Sequence, residues 1–137
     1  MVYVLCYAES FEEFSRWVKK VGKCVKKGGR FIGVEAWPEH SLEGDFLKYG
    51  FEYPTTEKKP GEAIRVYYHF GEGKKLTFDN YWFSTDQWKT ALKDARFPDF
   101  RWVPMTPTED NNDKEFWSDF MKNPKDSCFE GVKRLDE

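Results

Sequence analysis

The sequence predicts an α/β fold, and three observations carry that prediction. A β-prone run over residues 2–7 (VYVLCY) stands directly before an amphipathic helical pattern with its own amino-terminal cap. A Gly-Gly pair then leads into a second apolar run, Arg30–Ala36. Strand, helix, turn, strand is one βαβ unit, and a right-handed crossover joins its strands in parallel.

Taken in order, residues 2–7 are apolar from almost the first position, the pattern of a fully buried strand. Ser10 with Glu13 three residues later makes a capping box. Phe11, Phe14, Val18, Val21 and Val25 recur at three- and four-residue steps, so a helix is predicted over 10–27. Glu12 and Glu13 open it, and every charged residue from Arg16 to Arg30 is basic, an arrangement the helix macrodipole favours on a solvated face. Gly28 and Gly29 suit a left-handed cap, because a residue without Cβ takes positive φ at little steric cost. In the strand that follows, Phe31, Ile32, Val34 and Ala36 are apolar, which predicts burial on both faces inside a parallel sheet. Ligand chemistry in such sheets lies past the carboxyl ends of strands, here at Glu35 and Trp37.

Beyond Trp37, Pro38, Gly44, Gly50, Pro54 and Pro60 break every period, giving a long connection of the kind that is usually functional. Residues 63–70 alternate, with Ile64, Val66, Tyr68 and Phe70 on one side and Arg65, Tyr67 and His69 on the other. After Gly71-Glu72-Gly73 the β pattern resumes at 75–83, so an antiparallel hairpin is expected. Ser84 with Gln87 sets a second capping box, and Trp88, Ala91, Leu92 and Ala95 stripe a helix at 85–95. A strand at 100–103 ends at Pro104, and 105–112 is a polar loop. A helix at 113–122 stops before Pro124, and 128–135 is a last strand.

A chain of 137 residues is expected to be one domain over 1–137. Its 13 Phe, 7 Tyr and 6 Trp make either an aromatic core or rings lining a pocket. With 22 basic and 24 acidic residues the net charge of −2 supplies no field for nucleic acid or an anionic membrane. Cys6, Cys24 and Cys128 lack CxxC spacing and a neighbouring His, so they are expected to be reduced, buried thiols of a cytoplasmic protein and not a metal site. No apolar run approaches the ~20 residues of a membrane span. Glu9, Glu12 and Glu13 stand where a leader would be basic and apolar.

No GxSxG, HExxH, P-loop or GxGxxG is present, and His40 and His69 are expected in structural hydrogen bonds. Aromatic and polar residues do gather at the strand ends and on the hairpin: Tyr7, Glu35, Trp37, Tyr67, His69, Asp79, Asn80, Tyr81 and Trp82. A pocket for a flat organic molecule has this composition. So does an ordinary hairpin stabilised by cross-strand aromatic pairs.

A resemblance is carried by longer stretches. Residues 2–36 (VYVLCYAESFEEFSRWVKKVGKCVKKGGRFIGVEA) resemble class I S-adenosylmethionine-dependent methyltransferases from the fourth sheet strand to the fifth, with Lys27 where the family's LKPGGRF turn has Pro. KYGFEY at 48–53, FDNYWFSTDQWKTALKDARFPDFRW at 78–102 and FWSDFMKNP at 116–124 are similar to the toxoflavin-synthase-like small-molecule type. The family sheet is ordered 3-2-1-4-5-7-6. The resemblance implies the carboxyl-terminal half of this Rossmann-like sheet, with residues 1–7, 30–36, 99–103 and 127–134 as strands 4, 5, 6 and 7. It also implies an inserted hairpin at about 62–83 over the acceptor.

By the same resemblance, the activity is methyl transfer from S-adenosylmethionine to a small aromatic or heterocyclic acceptor. Tyr3, Leu5 and Tyr7 fall near the cofactor's methionine end. Tyr7, Glu35, Trp37, Tyr67, Asn80 and Tyr81 fall around the acceptor. In-line transfer depends on positioning, so no lone catalytic residue is implied. The family's Gly-rich cofactor loop and ribose-binding acid precede the matched region. This chain alone is therefore expected to bind the cofactor weakly or not at all. The alternative is a non-catalytic binding or assembly module, with a protein partner or a second copy along residues 2–7.

Overall fold

A computed structural model describes residues 1–108 and 113–135. In chain order it contains α1 (Phe11–Cys24), β1 (Arg30–Ala36), β2 (Phe51–Glu52), β3 (Ala63–His69), β4 (Lys75–Tyr81), α2 (Thr85–Asp94), β5 (Arg101–Val103), α3 (Lys114–Lys122) and β6 (Asp126–Val132). The strands form two antiparallel sheets, ordered β1-β6-β5 and β2-β3-β4. The α/β class and the three helices follow the sequence. The sheets are less parallel than the βαβ pattern predicted, because β6 inserts between β1 and β5 with opposite sense.

Helix α1 starts where the sequence places it, since Ser10 Oγ accepts the Glu13 N–H at 3.1 Å. Only half of the capping box forms there, because the Glu13 carboxylate reaches one residue further, to the Glu9 N–H at 3.1 Å. The box at Ser84 and Gln87 is complete in both directions. Phe14 and Val18 of α1 and Trp88, Ala91 and Leu92 of α2 then meet Phe31, Phe97 and Phe129 in the main core. Phe129 touches the rings of Phe31, Trp88, Phe100 and Trp102 at centroid distances of 5.0 to 6.1 Å, so this one strand residue ties sheet to helix. A smaller cluster of Phe46, Phe51 and Val66 lies under the second sheet.

Three expectations are corrected. First, α1 ends at Cys24 with Val25 extended, and Gly28 (φ +70) occupies a turn closed by the Gly29 N–H to Lys26 carbonyl bond at 2.9 Å. Positive φ is thus found at the Gly-Gly pair, but it serves the turn into β1 and not the helix cap. Second, residues 2–7 are not a strand. Met1 and Tyr3 donate to Ile32 and Val34, Val34 donates back to Met1, and the chain then leaves the sheet for a 3-10 turn at Leu5–Tyr7. The single bridge, Val2 to Val34, is parallel, as the βαβ reading requires. Third, β1 is covered on one face only, with Ile32 57 % exposed. Cys24 is exposed as well, so the three unpaired thiols are not all buried. The polar loop expected at 105–112 lies partly outside the described residues. No helix among the described residues is long and apolar enough to cross a membrane.

Candidate functional site

The site is organised by one carboxylate. Glu35, on β1, is fully buried, and its oxygens accept the backbone N–H groups of Val4 (2.7 Å), Leu5 (2.8 Å) and Cys6 (3.3 Å). Three donors converging on one side chain pull the chain out of extended geometry, which is why residues 5–7 coil where their own pattern predicts a strand. Burial raises the Glu35 pKa, while the three N–H groups pull it down. Burial and Glu35 together also hold the Cys6 thiol well above its ordinary pKa, which leaves it a weak nucleophile.

The turn fixed by Glu35 forms one wall of an open cleft of about 570 Å³, within the ~300–1,000 Å³ typical of small-molecule sites. Tyr3 and Tyr7 stand on that wall. Phe51, Tyr68, Leu76 and Phe78 of the second sheet face them, and Trp117 and Phe120 of α3 close the far side. Tyr49 holds α3 in place: its hydroxyl donates to the Phe116 carbonyl at 2.6 Å and accepts the Phe120 N–H at 3.0 Å, while its ring stacks on Trp117. Lys125 and Asp126 supply the polar part of the cleft, an ion pair at 3.6 Å with both side chains largely enclosed. Burial, with the Asp126 carboxylate beside it, pushes the Tyr3 phenol far above its usual pKa, so it stays neutral and available as a donor.

Behind the cleft, and sharing Cys6 and Asn80 with it, is a smaller chamber of about 40 Å³ under the hairpin. Its outer strap, residues 37–40, is held by Lys58, whose ammonium donates to the carbonyls of Pro38 (2.7 Å) and His40 (2.5 Å), and by the Trp82 indole N–H on Pro38. His40 is 4 % exposed, with Nδ1 against the Asn123 carbonyl at 3.2 Å. That contact makes Nδ1 the protonated nitrogen and leaves Nε2 a lone-pair acceptor, enclosed and without a hydrogen bond among the described residues. Asn80 Oδ1 is enclosed and, among the described residues, without a partner in the same way.

Burial drives the His40 pKa down to about 4, with Lys58 adding to the effect against the Asn123 carbonyl. Unfolded, the imidazole takes a proton near pH 6.5; folded, it does so only near 4, so the unfolded state binds more protons between these values. The part of stability that depends on His40 is thus full above about pH 6.5 and falls as the pH drops toward 4, losing about 2 kcal/mol by about pH 5. Urea unfolding at neutral pH and at about pH 5 measures this. The loss should be absent from His40→Leu, and an equal loss in that variant would assign it to other groups.

The residues expected at the site fall into four places. Tyr3, Tyr7 and Asn80 meet at the cleft, and Trp37, Asn80 and Tyr81 line the chamber with Leu5. Leu5 is fully enclosed in the main core, so of the three residues expected beside the cofactor only Tyr3 and Tyr7 line the cleft. Glu35 sits beneath the 3-10 turn. Tyr67 lies on the far face of the hairpin under the Lys75 ammonium, 4.2 Å from its ring centroid, and lines neither cavity. His40, Tyr49, Lys125 and Asp126 were not among the expected site residues. Pro124-Lys125-Asp126 between a helix and a strand was the available signal.

No protein-family model matches the sequence, and no curated protein matches it. Solved structures do match. A protein proposed to be an S-adenosylmethionine-dependent methyltransferase from Listeria monocytogenes superposes with a TM-score of 0.58 at 17 % identity, over 97 % of this chain and 59 % of that one. The CcbJ methyltransferase of Streptomyces caelestis gives 0.51 at 11 % identity, over 96 % of this chain and 56 % of that one. The chain therefore spans less than three fifths of the length of these structures. At such identities the likeness is one of fold, and the fold is methyltransferase-like.

Proposed function

We propose that this chain belongs to an S-adenosylmethionine-dependent methyltransferase and forms its acceptor-binding part, taking a small aromatic or heterocyclic compound in the cleft. The observation that carries this reading is the strand arrangement. Residues 1–3, β1, β6 and β5 lie side by side in that order, which we read as strands 4, 5, 7 and 6 of a methyltransferase sheet, and the aromatic cleft opens where the first two of them end. The cofactor supplies an electrophilic methyl group. Tyr3 and Tyr7 would flank its methionine end, and the rings of the second sheet and α3 would hold the acceptor flat. The hairpin β3–β4 is the insertion over that acceptor.

A second reading is favoured by a separate observation. Met1, Val2 and Val4 expose apolar side chains at the outer edge of the first sheet, where the family order continues, and Ile32 exposes its own on the open face of the adjoining strand β1. In this reading the chain is a non-catalytic module that docks on a partner, or on its own copy, along that edge. Sedimentation velocity should then show concentration-dependent association that Ile32→Lys suppresses. A monomer at every concentration would remove the edge as an interface.

Calorimetric titration with S-adenosylmethionine separates the two. The sequence carries no Gly-rich loop, so the methyltransferase reading expects weak, saturable binding that Tyr3→Ala abolishes. The module reading expects no heat at all. Tight micromolar binding would show that the chain holds the cofactor without that loop, and the expectation of an outside contribution would be wrong.

A further inference from the structure

We propose that the chamber behind the cleft is a specificity pocket for an amino or hydroxyl substituent on the ring that occupies the cleft, read by Asn80 and His40. This rests on the cleft being the acceptor site, and it adds which acceptors fit.

Size decides what enters each space. The cleft, at about 570 Å³, takes a ring system. The chamber, at about 40 Å³, does not: a water molecule needs roughly 10–15 Å³ of such space, so only a group of a few atoms enters. Asn80 and Cys6 line both, so the two spaces adjoin at these residues, and a ring lying in the cleft is placed to present one substituent to the chamber.

Chemistry decides which substituent. The chamber is walled mainly by apolar side chains such as Leu42, Ile64 and Trp88, and against them stand two enclosed acceptor atoms, Asn80 Oδ1 and His40 Nε2. Both residues are more than nine-tenths buried. His40 is fixed in the tautomer that offers a lone pair, because Nδ1 is committed to Asn123. Lys58, the nearby cation, is turned to the carbonyls of Pro38 and His40. Two acceptors in an apolar wall call for donors: a neutral amino or hydroxyl group satisfies them, and a methyl group of the same size leaves them unpaired.

The test is direct binding without S-adenosylmethionine, using 6-aminoquinoline and 6-methylquinoline at mildly alkaline pH, where both are uncharged. Calorimetry should show the amino compound bound at least about tenfold tighter. In Asn80→Leu, which replaces the acceptor with an apolar side chain of similar size, the preference should fall to about twofold or less. His40→Phe provides the same comparison at the second acceptor should Asn80→Leu not fold. Equal binding of the two compounds by the parent, binding of neither, or a preference unchanged in the variants would each overturn the proposal. A preference found in a chain that gives no heat with S-adenosylmethionine would leave the chamber assignment standing and favour the module reading over the methyltransferase one.

Discussion

Glu35→Ala is expected to lower stability by about 4 kcal/mol, or to prevent folding, through the exposure of an unmet need for acceptors. Three backbone N–H groups, those of Val4, Leu5 and Cys6, end on this one buried carboxylate. Each buried donor left unpaired costs roughly 1–3 kcal/mol, offset in part because the variant no longer buries a charge. Glu35→Gln keeps one oxygen for Val4 and Leu5 and turns an amide donor toward Cys6, so its cost should be smaller, about 1–2 kcal/mol. Urea unfolding gives both values, and amide hydrogen exchange at Leu5 and Cys6 locates the effect. An alanine variant as stable as the parent would mean that these donors have other partners. The pH response has its own sign: the folded pKa lies above the ordinary 4.5. The part of stability that depends on Glu35 protonation is therefore full below about pH 4.5 and lost as pH rises through the raised value, opposite to His40.

Glu35 also marks the limit of what the sequence could disclose. Helices α1, α2 and α3, the β3–β4 hairpin and β1, β5 and β6 were all legible, because caps and apolar periods are local signals and each of these elements obeys its own. Residues 2–7 were not. VYVLCY has the composition of a strand, and a residue some thirty positions away, Glu35, bends it into a turn. Local pattern yields to such a long-range bond, and nothing in the six residues signals it. The cleft was legible in part: Tyr7 and Asn80 belong to the aromatic and polar residues that the pattern put at expected strand ends and on the hairpin, and Tyr3 came from the family resemblance alone, whereas Tyr49 and Lys125 enter through contacts made by loops. Tyr67 shows the converse. Alternation put it on the opposite face from Ile64 and Val66, and in the fold that face is the one turned away from both cavities.

The second large effect is expected at Gly33. Its φ is not in the left-handed region, so alanine is tolerated by the backbone, and any cost of Gly33→Ala reports crowding alone. The crowding is severe. A Cβ there would lie 2.5 Å from the Met1 carbonyl oxygen and 2.7 Å from two ring carbons of Phe129. Phe129 cannot yield, since the rings of Phe31, Trp88, Phe100 and Trp102 surround it in the main core. The amino-terminal segment can, but it would give up the Val34 N–H to Met1 bond (2.9 Å) and those from Met1 to Ile32 and from Tyr3 to Val34 (3.0 Å each). Glycine in this strand is thus the condition for a neighbouring backbone to approach. We expect Gly33→Ala to destabilise by about 3 kcal/mol, to speed proteolysis within the first eight residues, and to weaken any ligand that depends on Tyr3 and Tyr7. Since those residues form one wall of the cleft, the stability loss and the binding loss should appear together. Parent-like unfolding with parent-like binding would show that residues 1–3 do not lie against β1.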